Sequence, residues 1–166
     1  IEGRWEKVAR KIADHYPLPA KPKILDVGCG KGFLLYDFLK IIPDAEIHGI
    51  DISEYAITNC KPEIKDSLQV GNAIDLPWED NTFDLVISIN TLHNLYAYDL
   101  DIALREIERV GKQNKYLCVE SYKSEQEKAN LLYWQVTCEA FNTPDEWKWW
   151  FKHTGYTGDY SFIYFE

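Results

Sequence analysis

The sequence predicts an α/β fold in which a doubly wound, mostly parallel sheet carries helices on both faces. Three observations predict it. Short apolar runs bounded by turn residues alternate with stretches of helical spacing over residues 5–122, the pattern of successive right-handed βαβ units. The run at 84–90, DLVISIN, is almost continuously apolar, as strands covered on both faces are. The 166 residues, 46% of them hydrophobic, suffice to bury one sizeable core without metal or disulfide staples.

The first segment, WEKVARKIADH at 5–15, places Val8, Ile12 and His15 on one face of an amphipathic helix. Prolines in YPLPAKP stop it. Lys23 to Val27 reads as the first strand, and 33–42 as a helix ended by Pro43. AEIHGIDIS at 45–53 is the second strand, and a short helix follows at 54–60. SLQVGNA at 67–73 is the third strand, LPWEDNTF a polar loop, and 84–90 the fourth strand. Across 99–112, Leu100, Ala103, Leu104, Ile107 and Val110 share one helical face. KYLCVES at 115–121 is the fifth strand. Then 125–142 reads as a helix, and 143–155 as another, with Thr143 as its cap and Pro144 in its first turn. YSFIYF at 160–165 is a last strand; 155–158 is the only place for a further, brief one. No repeat or linker interrupts the chain, so residues 5–166 are expected to form one domain.

A formal net charge of −9 works against a phosphate backbone or an anionic membrane as partner. Cys29, Cys60, Cys118 and Cys138 form no C-x-x-C pair and read as reduced thiols of a cytoplasmic protein, with no metal expected. No apolar run approaches the roughly 18 residues that span a bilayer. IEGR at 1–4 is the recognition tetrapeptide of a clotting protease used to remove tags, and the chain has no methionine. The tetrapeptide is either a remnant of tag removal or native sequence.

Ligands of such sheets bind beyond the carboxyl ends of the strands, where strand order reverses. That directs attention to 28–32, 51–53, 71–75, 90–94 and 120–122. A dinucleotide fingerprint needs G-x-G-x-x-G/A after the first strand, yet Phe33 fills the last position. Asp26 stands two residues before Gly28. A carboxylate there repels a pyrophosphate and attracts a cation. S-adenosylmethionine, with a sulfonium, an ammonium and no phosphate, suits such a turn, whose glycines let the backbone approach closely.

At this point LDVGCGKG resembles the first motif of the class I S-adenosylmethionine-dependent methyltransferases, whose fold is a Rossmann-like sheet. IHGIDIS resembles the second motif, VGNAIDLPWEDNTFDLVISINTLHNL the third and fourth, and IERVGKQNKYLCVES the approach to strand five, over residues 22–122. The resemblance implies a cofactor-binding core at 22–122 and acceptor-side elements at 5–21 and 123–166. It implies cofactor contacts from Asp26, Gly28, Cys29, Gly30, Gly32, Asp51, Ile52, Asn72, Ala73, Ile74 and Asn90. Cys29 is expected to offer backbone groups only. Asp51 would accept from both ribose hydroxyls; its alternative, a helix cap, is one that Ser53 could supply. Asn90 falls where the family uses backbone carbonyls to hold the methionine ammonium.

Two departures stand out. The family often has aspartate at position 72, where an asparagine can still accept from the adenine amino group and donate to a ring nitrogen. Asp75 either substitutes or orders its loop. The family also commonly ends in two antiparallel strands, so the shortened C-terminal end leaves the far edge of the sheet, and any dimer contact there, open.

Methyl transfer from a sulfonium is an in-line displacement that needs alignment above all. A base is needed only where the acceptor is protonated. His93 is a candidate base or a structural group, and Glu120 either binds or deprotonates an acceptor or is an ordinary solvated carboxylate. Trp147, Trp150, Phe151, Tyr160, Phe162 and Tyr164 have core spacing, whereas Tyr133 or Trp134 could form a cage for an ammonium. The acceptor pocket is expected between the Trp5 helix, a lip at 91–98 and the 121–142 segment, which suits a small molecule. The alternatives are an RNA or protein acceptor, and a non-catalytic partner domain that retains the fold.

Overall fold

In the computed structural model, which describes residues 3–165, six strands form one sheet in the order β3-β2-β1-β4-β5-β6, and every neighbouring pair is parallel. The strands are β1 Lys23–Val27, β2 Glu46–Asp51, β3 Leu68–Val70, β4 Phe83–Ile89, β5 Gly111–Glu120 and β6 Asp159–Ile163. Ile1 and Glu2 of the IEGR start lie outside the described residues. The chain leaves β1 in both directions, toward β2 and toward β4. The switch point therefore lies beyond Val27 and Ile89.

The strand period of two divides the core. Ile24 and its neighbour Leu85 turn to one face, where α1 (Glu6–His15) and α2 (Phe33–Ile41) cover them with Ala9, Ile12 and Phe38. Leu25 and Val86 turn to the other, under α4 (Ala97–Val110) and α6 (Pro144–Thr154) with Leu104, Ile107, Trp147 and Phe151. Two short helices complete the set, α3 (Glu54–Thr58) and α5 (Glu125–Trp134). Helix α6 opens with a capping box: Thr143 Oγ1 accepts from the Glu146 N–H, and the Glu146 carboxylate accepts from the Thr143 N–H at 2.6 Å.

The structure corrects several boundaries. The sheet is wholly parallel among the described residues, and 155–158 forms no strand; Gly155 ends α6 in the left-handed region and β6 pairs directly with β5. β5 starts at Gly111, four residues before the expected Lys115, because the polar run KQNK is paired after all. Asn114 donates to the Asp84 carbonyl, and the Lys115 ammonium is buried against Glu108 Oε1 at 3.1 Å. The third strand is only Leu68–Val70. The helix expected over 125–142 ends at Trp134, where Gln135 turns extended ahead of the β-branched pair Val136 and Thr137.

Of the six aromatics expected in the core, Trp147 and Phe151 are buried. Trp150, Phe162 and Tyr164 are half-buried, and Tyr160 is exposed. Close packing at the start of α2 is made at Gly32, one residue before Phe33. A Cβ at Gly32 would stand 2.7 Å from Ile64 and Leu68 side chains, while Phe33 stays exposed.

Candidate functional site

The turn after β1 is held open by its own backbone. The Gly28 and Cys29 N–H groups both donate to the Ile50 carbonyl, at 2.8 and 3.1 Å, which pins the glycine turn against the end of β2. Gly28 has φ +79°, and a Cβ there would lie 2.0 Å from Thr91 Oγ1, so the loop after β4 rests on this glycine. Gly30, at φ +53°, faces open space: a Cβ would meet nothing within 4 Å. Cys29 points its thiol inward toward Gly49, and burial pushes that thiol far above its ordinary pKa. A protonated, buried thiol leaves only backbone for a ligand.

Two clefts open beside Gly28. One, of about 240 Å³, is lined by Asp51, Ile52, Asn72, Ala73, Asn94 and Asp99 among others. The second, of about 250 Å³, is lined by Trp5, Asp26, Gly30, Lys31, Phe33 and Ile89 among others. In the first, each Asp51 oxygen holds one backbone donor, Gly30 N–H at 2.7 Å and Ser53 N–H at 2.9 Å. Each oxygen keeps lone-pair capacity for a further donor, the geometry a vicinal diol requires. Ser53, not Asp51, caps α3, accepting from the Ala56 N–H at 3.2 Å. Asn72 Oδ1 accepts from the Ile74 N–H at 3.2 Å, which folds the loop and leaves its amide directed by that bond. Asp75 is exposed, and its backbone N–H donates to the Asn72 carbonyl at 3.1 Å.

In the second cleft Asp26 is 5% exposed. Burial, and secondarily the Asp51 charge, push its carboxyl up to about 7. No cation pairs with it among the described residues. Asn90 ends β4 at φ +57°, a conformation asparagine tolerates better than most residues, and its carbonyl accepts from the Asn94 amide at 3.4 Å. Neither Asn90, Gly32 nor Ile74 appears in the wall of either cleft; Ile74 packs toward the core under α4.

His93 and Glu120 meet, but inside the protein. Each is 1% exposed, so Glu120 is not the solvated carboxylate of the bland expectation. The His93 Nδ1 accepts from the Glu120 N–H at 3.4 Å, which leaves the ring proton of a neutral imidazole on Nε2. Nε2 stands 3.4 Å from Glu120 Oε2 without the alignment of a hydrogen bond. Burial lowers the His93 pKa to about 4 and raises that of Glu120. Residues 135–142 form a strap over the pair: Gln135 donates to Glu120 Oε1, and the Glu139 and Ala140 N–H groups both donate to the His93 carbonyl at 2.9 Å. Beneath, the Trp147 indole donates to the Glu120 carbonyl at 2.9 Å. Tyr133 and Trp134 form no cage, being 88% and 75% exposed.

The sequence pointed to the strand ends and missed Lys31, Phe33 and Asp99 as cleft walls. Lys31 lies inside the glycine motif, where the glycines and Asp26 carry the signal; Asp99 carries none, since its place depends on how the β4 loop returns to α4.

The fold and the clefts define a doubly wound α/β domain with two clefts at the switch point between β1 and β4. Residues 19–155 match the model described as a methyltransferase domain, and the chain belongs to that family. Among curated relatives, it is 36% identical over 130 residues to a demethylmenaquinone methyltransferase of Symbiobacterium thermophilum, covering 73% of this chain and 51% of that one. It is 33% identical over 131 residues to an Arabidopsis thaliana tRNA (carboxymethyluridine(34)-5-O)-methyltransferase, covering 78% and 30% respectively. The chain thus spans about half or less of the length of these relatives. Among solved structures, the Haloferax volcanii protein complexed with the Trm112 methyltransferase activator superposes with a TM-score of 0.72 at 25% identity, covering 93% of this chain and 70% of that one.

Proposed function

We propose that the chain binds S-adenosylmethionine across the two clefts and transfers its methyl group to a small-molecule acceptor. The observation that carries this reading is Asp26, a buried carboxyl paired with no cation among the described residues, at the mouth of a turn whose Gly30 faces open space. The bound cofactor would supply a methyl group on a sulfonium, already activated for displacement.

The chain's residues do the rest. Asp26 faces the cationic amino-acid end, and Asp51 takes the ribose diol with lone pairs its two backbone donors leave free. Ile52, 73% exposed on the wall of the first cleft, gives an apolar face for the base, with Asn72 and Ala73 at its edge. Trp5 and Phe33 wall the second cleft and shed water from it. His93 holds Glu120 in place, both ring nitrogens being turned to that residue. Fixing donor and acceptor together contributes on the order of 7 to 11 kcal/mol to such a reaction.

The test is calorimetry with S-adenosylhomocysteine, with Asp51→Ala as control. Wild type is expected to bind more tightly than about 100 μM, roughly −5.5 kcal/mol, and Asp51→Ala to bind more weakly while staying folded. Absence of heat from wild type at that concentration overturns the reading. The tRNA-modifying relative favours an RNA acceptor as second reading. A net charge of −9 opposes it, and a steeply salt-dependent RNA affinity would reinstate it.

A further inference from the structure

The buried pair under the strap is the part of the molecule that the cofactor does not account for. Glu120 Oε2 is buried with no hydrogen-bond partner among the described residues. A buried carboxylate oxygen without a donor carries a desolvation cost and calls for a reason. Its sister oxygen has one side-chain donor, the Gln135 amide, which comes from the strap and not from the sheet. Exposed apolar side chains flank the junction of α5 and the strap, whose own Cys138 and Ala140 are buried. Gln135 turns inward onto the carboxylate, while Leu132, Tyr133, Trp134 and Val136 around it are 54%, 88%, 75% and 95% exposed. Apolar side chains facing water beside a polar one facing the interior mark a segment arranged for a different occupant of the space beneath it.

The position is the right one for the acceptor. Glu120 closes β5, next to the carboxyl end of β4 and the loop that rests on Gly28. The strap is tied to that loop by the Thr137 hydroxyl, which donates to Asn94 Oδ1 at 2.9 Å, and Asn94 lines the first cleft.

We propose that Glu120 is the acceptor subsite, taking a hydroxyl or amine donor of an apolar molecule, and that the Gln135 amide holds that place until the acceptor displaces it. When Gln135 leaves, the unpaired Oε2 and the released Oε1 both become available to the donor. The apolar neighbours of Gln135 then have a surface to cover. This rests on the methyl-transfer reading above for the role of the acceptor, though not for the existence of the subsite.

The probe is 2-naphthol, with 2-methoxynaphthalene as its counterpart lacking a donor, titrated by calorimetry into the full chain with and without S-adenosylhomocysteine. 2-Naphthol is expected to bind at least ten-fold more tightly than the ether. Gln135→Ala, which vacates the place, should tighten 2-naphthol several-fold and leave the ether unchanged. Glu120→Gln, checked for folding by its melting temperature, should cut the preference to near unity. The proposal is overturned if the two compounds bind equally, if neither binds wild type or Gln135→Ala, or if Glu120→Gln keeps the preference. Failure of S-adenosylhomocysteine to bind, with the naphthol preference intact, overturns the cofactor reading alone.

Discussion

At the scale of single residues, Asp26 links ligand recognition to pH. Burial pushes its folded carboxyl up to about 7, against an ordinary value of about 4. Between those values the empty folded chain holds a proton the unfolded chain has lost. That contribution to stability is complete at low pH and fades as pH rises through 7. A cationic ligand demands the ionised form, so S-adenosylhomocysteine binding should strengthen from pH 6 to pH 8 and release protons, measurable by calorimetry in buffers of different ionisation enthalpy. Asp26→Asn should raise the melting temperature of the empty protein at pH 8 and remove this pH dependence with most of the affinity. The two glycines of the turn separate fold from function. Gly28→Ala meets both positive φ and Thr91, and should destabilise by more than the roughly 1–2 kcal/mol of left-handed strain. Gly30→Ala meets only the strain, and should fold in urea titrations while losing cofactor binding.

At the scale of elements, α6 and the strap show what local chemistry controls. Thr143→Ala removes one half of the capping box and is expected to cost about 1 kcal/mol. Trp147→Ala also deletes a wholly buried ring and its bond to the Glu120 carbonyl, with a cost of about 3–5 kcal/mol in denaturant unfolding. The cap was legible because Thr-Pro-Asp-Glu carries its own signal. The strap was not: LLYWQV reads as apolar helix, and nothing local says that Gln135 turns inward to a carboxylate 15 residues earlier in the chain. The start of β5 was hidden for a related reason, since the buried Lys115 ammonium is satisfied by Glu108 and by the Lys112 carbonyl, which only the fold brings to it. That Asp51 lines a cleft could be read because it ends the second strand; Lys31 and Asp99 could not, because loop paths bring them to the clefts.

At the scale of the whole molecule, a ligand that bridges the two clefts touches the ends of β1, β2 and β4 together. S-adenosylhomocysteine at a hundred times its dissociation constant should therefore add about 2.7 kcal/mol to global stability, read as a single shifted transition in urea. A transition that splits would mean that the two faces of the sheet unfold apart. The first and last elements also meet. The Tyr16 hydroxyl donates to the Lys115 carbonyl at 3.2 Å and to Asp159 Oδ2 at 2.9 Å, and His15 Nε2 lies 3.2 Å from the same carboxylate. Helix α1 is thereby moored at its foot to β5 and β6, while Trp5 at its head walls the second cleft. Ten residues of helix make a rod of about 15 Å, and a moored rod acts as a lever. Loosening the mooring at Asp159 would let the rod's far tip swing, so the tail of the chain helps aim a tryptophan at the opposite end of the sheet.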